Sequence, residues 1–343
     1  MNYYFAPLHG ITDYIYRNIV WKHFPYWDKL YAPFIQPNER PIIVPKEYED
    51  ICPENNSKIP TVPQVLTCDA TGFIHVGKIL EDCGYKEINL NLGCPARVVV
   101  SKGKGAGMLK DCDALNRFFD TIFSHDRNSR ITVKTRLGFN EEDDFEELLK
   151  VYSRYPIAEL TIHPRFRSDF YNGMPRLNEF HKVCSVTDYP HSDFKRTFEQ
   201  TLQDIADIFP FKVCYNGDIN SKKDAFSLTE KFPYTSSIMS GRGALANPGL
   251  ARELQGGKPI TLEEFKAFHD DILSAYSTIM AREENVVNKM LQMWSYWAKY
   301  FVVDAALFEK LIRSTDINIY ISNMENLYEY MHLTAKKQVT DSV

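Results

Sequence analysis

Eight short β-favouring runs recur along the first 242 residues, at 3–8, 29–35, 61–66, 87–93, 131–137, 159–164, 212–218 and 236–242. Each stops at a glycine, a proline or a polar residue. Amphipathic stretches separate most of them. In 142–154, Phe145, Leu148, Leu149 and Tyr152 recur at helical spacing, and the acidic run at 141–144 reads as helix-start chemistry and not as a metal site. Strand–helix alternation repeated eight times is the pattern of a TIM (β/α)8 barrel, an α/β fold. Such barrels carry their chemistry at the C-terminal ends of the strands. Here those ends hold Ala6-Pro7-Leu8, Gln64, Asn91 with Cys94, Lys134 with Arg136, His163 with Arg165, Asn216-Gly217-Asp218 and Gly241-Arg242-Gly243.

The pattern changes near residue 245. Residues 261–336 contain no strand run, no glycine and no proline. Ile272, Ala275, Tyr276 and Ile279 form one apolar helical face; Met290, Met293, Trp294 and Trp297 form another. The expected organisation is therefore a barrel over 1–250 followed by a C-terminal all-helical domain over 251–343. The aromatic residues between 294 and 301 read as buried helix packing before base stacking.

The densest chemistry lies between 88 and 109. Ile88, Leu90 and Leu92 carry a buried strand, which Gly93 and Pro95 break so that Cys94 stands at its tip. Lys102, Gly103, Lys104, Gly105 and Gly107 follow, and predict a flexible, cationic loop that could close over an anion. A buried free cysteine before an ordinary turn is the bland alternative. Asn89 and Asn91, the basic glycine loop and the strand-end position all weigh against it.

Several classes are disfavoured. No apolar run approaches the roughly 20 residues of a spanning helix, and the N-terminus lacks a basic region with a cleavable apolar core, so a cytoplasmic protein without membrane contact is expected. Seven cysteines with no C-x-x-C pair suggest neither a disulfide framework nor a zinc site, and no metal is expected. A net charge of −5 argues against a general nucleic-acid binder but permits a local basic groove. A monomer is the working expectation.

Asn216-Gly217-Asp218 and Gly241-Arg242-Gly243 follow the seventh and eighth strands, where barrels often bind phosphate. Glycines admit backbone N–H groups to the oxygens, a helix N-terminus adds partial positive charge, and Arg242 offers a bidentate donor pair. Either motif alone would be no more than a turn.

Asn91-Leu92-Gly93-Cys94-Pro95, continuing to Lys102 and Gly105-Ala106-Gly107, resembles the signature of the tRNA-dihydrouridine synthases, flavoenzymes that reduce specific uridines in tRNA. Ala6-Pro7-Leu8-His9-Gly10-Ile11-Thr12-Asp13, followed by Arg17, is similar to that family's A-P-M-x-G-x-T-D segment. Thr161-Ile162-His163-Pro164-Arg165 is similar to its T-x-H-x-R pattern. The resemblance implies FMN as cofactor, NADPH as reductant, tRNA as substrate, and Cys94 as the acid that protonates C5 after hydride reaches C6. A cysteine of ordinary pKa, near 8.5, keeps its proton at neutral pH, as that role requires.

The resemblance further implies that the backbone at Ala6, Pro7 and Leu8 lies against the flavin. It makes FMN the owner of the phosphate expected at Asn216, Gly217, Asp218, Gly241 and Arg242, and it moves His163 from the core to the cofactor site. Gln64 and Lys134 suit the ring, an amide pairing with its edge and an ammonium offsetting the charge of its reduced form. Asn91, Arg136 and Arg165 fall on the substrate side. Lys102 or Lys104 would hold an RNA phosphate while the target base is flipped out. In the family a helical domain grips tRNA, which makes Lys289, Lys299, Arg313, Lys336 and Lys337 candidate contacts. Leu8 replaces the usual methionine, a volume-conserving change, and Pro164 removes one backbone donor beside His163. The long 164–211 segment has no assigned role. The alternative reading is an FMN barrel reducing a free pyrimidine or small enone, like a dihydroorotate dehydrogenase, which would not need the helical tail.

Overall fold

The computed structural model describes residues 1–37, 43–140, 144–177, 212–233 and 235–340. All eight expected runs are strands: β1 (Asn2–Phe5), β2 (Lys29–Ile35), β3 (Thr61–Val65), β4 (Glu87–Leu92), β5 (Arg130–Arg136), β6 (Glu159–His163), β7 (Lys212–Tyr215) and β8 (Ser237–Ser240). They pair in chain order, and β8 returns in parallel to β1 to close the barrel. Several strands end before the runs read from sequence, because Pro7, Gly93, Gly217 and Gly241 leave the ladder for the loops above it.

Strand β4 shows why these strands are legible. All six of its residues are buried, since a barrel strand has helices on one side and the barrel interior on the other. Ile88 faces outward, with its Cδ1 3.6 Å from where a side chain at Gly77 of helix Ala70–Asp82 would begin. Glu87, Asn89 and Asn91 alternate with it and point inward. Helices Ala70–Asp82, Cys112–Phe123, Asp144–Tyr152 and Lys222–Lys231 occupy four of the crossings. Asp69 caps the first through Thr71 N and Gly72 N, and Asp111 caps the second through Ala114 N. The helix read at 142–154 is present, with Phe145, Leu148, Leu149 and Tyr152 at most 1% exposed. The rest of its acidic run, 141–143, lies outside the described residues, as does the long segment from 178 to 211.

The barrel interior is polar as well as aromatic. Tyr4, Ala6, Tyr31, Val62, Cys214 and Met239 cluster there, with Leu8 packed against them. Among them Glu87 receives Lys29 Nζ at 2.8 Å and Arg130 Nη2 at 2.7 Å, and Glu159 Oε2 accepts from the Tyr4 hydroxyl at 2.9 Å. Buried carboxylates are retained only when paired in this way.

The chain divides into two compact units. One is Met1–Gly10 with Trp27–Ile219 and Lys223–Gly241; the other is Ile11–Tyr26 with Asn220–Lys222 and Arg242–Val343. In the second, helices Leu262–Ile279, Glu283–Trp297, Ala305–Ile312 and Ile317–Thr340 follow one another, as the apolar periodicity predicts. A capping box between Thr261 and Glu264 starts the first of them. Trp294 and Trp297 are wholly buried and meet Phe265 edge-on, so the aromatic stretch is packing. Lys289 corrects an expectation. It is 8% exposed and donates to Asp13 Oδ2 at 3.1 Å, while Tyr276 OH donates to Asp13 Oδ1 at 2.6 Å, so it is an internal anchor and not an RNA contact. Lys336 and Lys337 lie beyond the described side chains. No helix among the described residues is long and apolar enough to cross a membrane.

Candidate active site

Cys94 stands just past the end of β4, half-buried. Its N–H and that of Gly93 both donate to Asn91 Oδ1 at 3.0 Å, so a side chain from the strand folds over and holds the loop that leaves it. Arg136 Nε takes Gly93 O at 2.8 Å from the other side. The segment that follows is not the flexible loop its glycines suggest. It forms a helical turn, Arg97–Val100, then a 3-10 helix, Gly105–Lys110, in which Gly105, Ala106, Gly107, Met108 and Leu109 are buried. Gly105 has φ +57°, and a Cβ there would come within 2.9 Å of Cys94 O and 3.0 Å of Cys94 Cβ. The glycine serves close packing against the cysteine, a need that sequence cannot separate from mobility. Burial raises the thiol pKa above its ordinary value; the Ala96 N–H, Arg136 and Lys134 pull the other way and do not outweigh it.

Below Cys94, Asn91 Nδ2 donates to Gln64 Oε1 at 2.7 Å, and Gln64 Nε2 donates to Asn89 Oδ1 at 2.7 Å. Gln64 is wholly buried, and one of its two amide hydrogens is committed.

Lys134 sits beside Asn91 in the β4–β5 register and beside Thr161 in the β5–β6 register. Its ammonium meets no carboxylate and no hydrogen-bond acceptor among the described residues. Burial, then the nearby Arg136, push its pKa down to about 8. Lys134 is only half-buried, and a lysine serving structure alone there would be paired. An ammonium held without an acceptor at a barrel mouth fits a ligand that brings its own negative charge, such as the ring of a reduced flavin.

His163 is 8% exposed, and its Nε2 lies 2.9 Å from Arg165 Nη1. A guanidinium only donates, so Nε2 is the acceptor and the ring proton sits on Nδ1. Tyr171 stands near it, ring centroids 6.1 Å apart, and also faces the Arg136 guanidinium at 5.3 Å.

The two strand-end arginines differ from expectation. Arg136 is 1% exposed and bonds Gly93 O and Phe166 O. Arg165 is 1% exposed and gives its donors to His163, Asp218, Gly173 O and Asn172 O. Both brace loops in place of reaching outward for substrate, because each finds acceptors within the protein that a strand-end position alone does not reveal.

Asn216 Nδ2 is tied to Met239 O at 2.8 Å, and Asp218 is the partner of Arg165. Gly217 has no room for a side chain, since a Cβ would overlap the Tyr215 hydroxyl. A Cβ at Gly241 would touch Ala6 Cβ at 3.5 Å and Leu8 Cδ1 at 3.8 Å, so the β8 end passes directly over Ala6-Pro7-Leu8. Arg242 opens the helix Arg242–Ala246. Lys102 is exposed and Lys104 half-buried on the Cys94 loop. Thr132 and Tyr171 join the constellation without having been singled out from sequence. Asn89, read there as a neighbour of Cys94, shares a face with Asn91 through the alternation of β4 and bonds Gln64 and Thr132.

The chain matches the family model for dihydrouridine synthase (Dus) over residues 4–311. A protein of Rickettsia bellii named probable tRNA-dihydrouridine synthase is 24% identical over 285 residues, 81% of this chain and 79% of its own. One of the same name from Staphylococcus aureus is 27% identical over 246 residues, 71% of this chain and 68% of its own. Among solved structures, a 2-naphthoyl-CoA reductase complex is similar at TM-score 0.50 and 8% identity, over 75% of this chain and 50% of that one. That likeness concerns the fold alone.

Proposed function

The chain belongs to the dihydrouridine synthase family, and on that premise we propose that it is an FMN-dependent tRNA-dihydrouridine synthase reducing the C5=C6 bond of specific uridines in tRNA. The observation that carries this reading is the pairing of a protonated thiol, Cys94, with an acceptor-free ammonium, Lys134, at adjacent strand ends. When bound, FMN reduced by NADPH supplies the hydride that reaches C6.

The uracil C5=C6 bond is conjugated with the C4 carbonyl, so the electron pair released by that addition collects at C5 and O4. Cys94 Sγ–H gives its proton to C5, and the sulfur keeps the bonding pair as thiolate. Arg136 and Lys134 both favour that anion, and solvent returns its proton. Lys134 also offsets the charge on the reduced ring. Gln64 offers its remaining N–H, and Ala6, Pro7, Leu8 and His163 line the same site. Asn216, Gly217, Asp218, Gly241 and Arg242 would take the FMN phosphate, with Arg165 neutralising the one carboxylate among them. Lys102 and Lys104 suit an RNA phosphate beside the flipped base.

The test incubates unmodified tRNA with the protein, FMN and NADPH, then measures nucleoside masses. A uridine heavier by about 2 Da, the two hydrogens added, supports the reading. Reduction of free uracil or a small enone with no change in tRNA would replace it with the small-molecule alternative.

A further inference from the structure

Thr132 and Glu87 lie low in the barrel interior, two steps below the residues that face a ligand. Thr132 is 1% exposed and Glu87 6%. Thr132 Oγ1 donates to Glu87 Oε1 at 3.3 Å and accepts from Asn89 Nδ2 at 2.9 Å. Asn89 Oδ1 accepts from Gln64 Nε2, Gln64 Oε1 accepts from Asn91 Nδ2, and Asn91 Oδ1 accepts from the N–H groups of Gly93 and Cys94. Five side chains from β3, β4 and β5 thus form one unbroken file.

Its direction is fixed by chemistry at both ends. The backbone N–H groups of Gly93 and Cys94 can only donate, so Asn91 must turn its oxygen to them and its nitrogen to Gln64. A carboxylate can only accept, so Glu87 forces the Thr132 proton downward and leaves the hydroxyl lone pairs for Asn89. Lys29, Arg130 and the Tyr31 hydroxyl also donate to Glu87, so it is the acceptor in every one of these bonds. Each amide between has one orientation that satisfies both neighbours; a single flip would set two donors or two acceptors face to face in the dry interior. Barrel interiors are ordinarily filled by Val, Ile and Leu. Gln64, Asn89 and Thr132 stand in such positions, and their hydrogen bonds go to one another, to Asn91 and to Glu87.

We propose that Thr132 and Glu87 are positioning residues for Cys94, acting through the one-way file Asn89–Gln64–Asn91 to hold the Gly93–Cys94 backbone. The proposal rests on Cys94 being the acid, so its test includes a readout that does not use turnover. Thr132→Val keeps the shape and removes the hydroxyl; Thr132→Ser restores it. Each is prepared as the full-length flavin-loaded protein. One readout is kcat and KM on tRNA. The other is the pH profile of iodoacetamide alkylation at Cys94, followed by peptide mass spectrometry.

In Thr132→Val, kcat falls at least about tenfold, the scale of a misplaced reacting group, with KM for tRNA unchanged. The alkylation midpoint moves down, because a loosened loop admits water to the thiol, and Thr132→Ser restores both. Wild-type values of both in Thr132→Val overturn the proposal, as does a lower kcat with an unmoved alkylation profile. Failure of Thr132→Val to fold beside a normal Thr132→Ser assigns the hydroxyl to folding and overturns it too. Full turnover in Cys94→Ala would instead refute the acid assignment, while the alkylation profile would still decide whether the file holds the loop.

Discussion

Arg165 and Asp218 form a two-point ion pair, Nη2 to Oδ2 at 2.5 Å and Nη1 to Oδ1 at 3.3 Å, that joins the end of β6 to the turn after β7. Removing one member strands the other. Asp218→Ala should cost about 2–4 kcal/mol, below the top of the range for buried pairs because the aspartate is partly exposed. A urea titration checks this, and an unchanged midpoint would mean the pair is idle. The same variant should release flavin more readily, read as free FMN after gel filtration.

Lys134 should trade stability for ligand binding. Its folded pKa, about 8, lies below the 10.5 of a free lysine. Between those values the unfolded chain holds a proton that the folded chain has released, so folding becomes more favourable as pH rises across that window. Below pH 8 the full cost of the partly desolvated cation is present. Flavin-free Lys134→Met should accordingly gain up to about 3 kcal/mol at pH 7 and lose that advantage above pH 10.5. The wild type should bind flavin less tightly as pH rises through 8, and the variant should show no such step. Fluorescence titration of flavin across pH separates the two.

Cys94→Ala should retain flavin and lose at least about a hundredfold in turnover, the usual worth of a positioned acid. Burial holds the thiol above its ordinary pKa, near 8.5, so wild-type kcat should be flat through neutrality and decline only at pH above that value. A decline already complete by pH 8 would identify another group as the acid.

His269 belongs to the second unit. Its Nε2 faces the Tyr320 hydroxyl at 2.6 Å, its Nδ1 faces Asp270 Oδ1 at 2.9 Å, and Trp294 Nε1 donates to the same hydroxyl at 3.0 Å. Burial lowers its pKa below 6.5, against the opposing pull of Asp270. The unfolded chain therefore takes up a proton first as pH falls, and stability drops from pH 6.5 downward by at most about 1.4 kcal/mol per unit. Denaturation of wild type and His269→Gln between pH 5 and 7.5 should show this slope only in the wild type.

The strands were readable because a barrel strand is buried on both faces and so carries uninterrupted β-favouring residues, as in Ile88, Leu90 and Leu92. Cys94 was readable because a proline and a glycine leave it no regular structure to belong to. Pairings across long separations were not. Nothing local distinguishes Arg165, whose partner lies 53 residues on, from an arginine awaiting a phosphate. Lys289, held by Asp13 across 276 residues, had the pattern of a surface cation. Glycines 103, 105 and 107 suggested mobility because absence of a side chain signals both freedom and tight packing. Thr132 gained meaning, and Asn89 its partners, only when β3, β4 and β5 were set side by side.

Helix Tyr14–His23 lies between the first two strands in sequence, yet it belongs to the unit built mostly from residues beyond 241. Phe268 of helix Leu262–Ile279 packs on its Tyr16, and Asp271 takes its Lys22. No single scission frees either unit intact. Trimming the carboxyl end strips an amino-terminal helix of its cover, and a tail fragment made by itself lacks the strip it was shaped around. Dissection of this polypeptide calls for a rewired chain, with 11–26 grafted ahead of the tail and a short bridge left in their place.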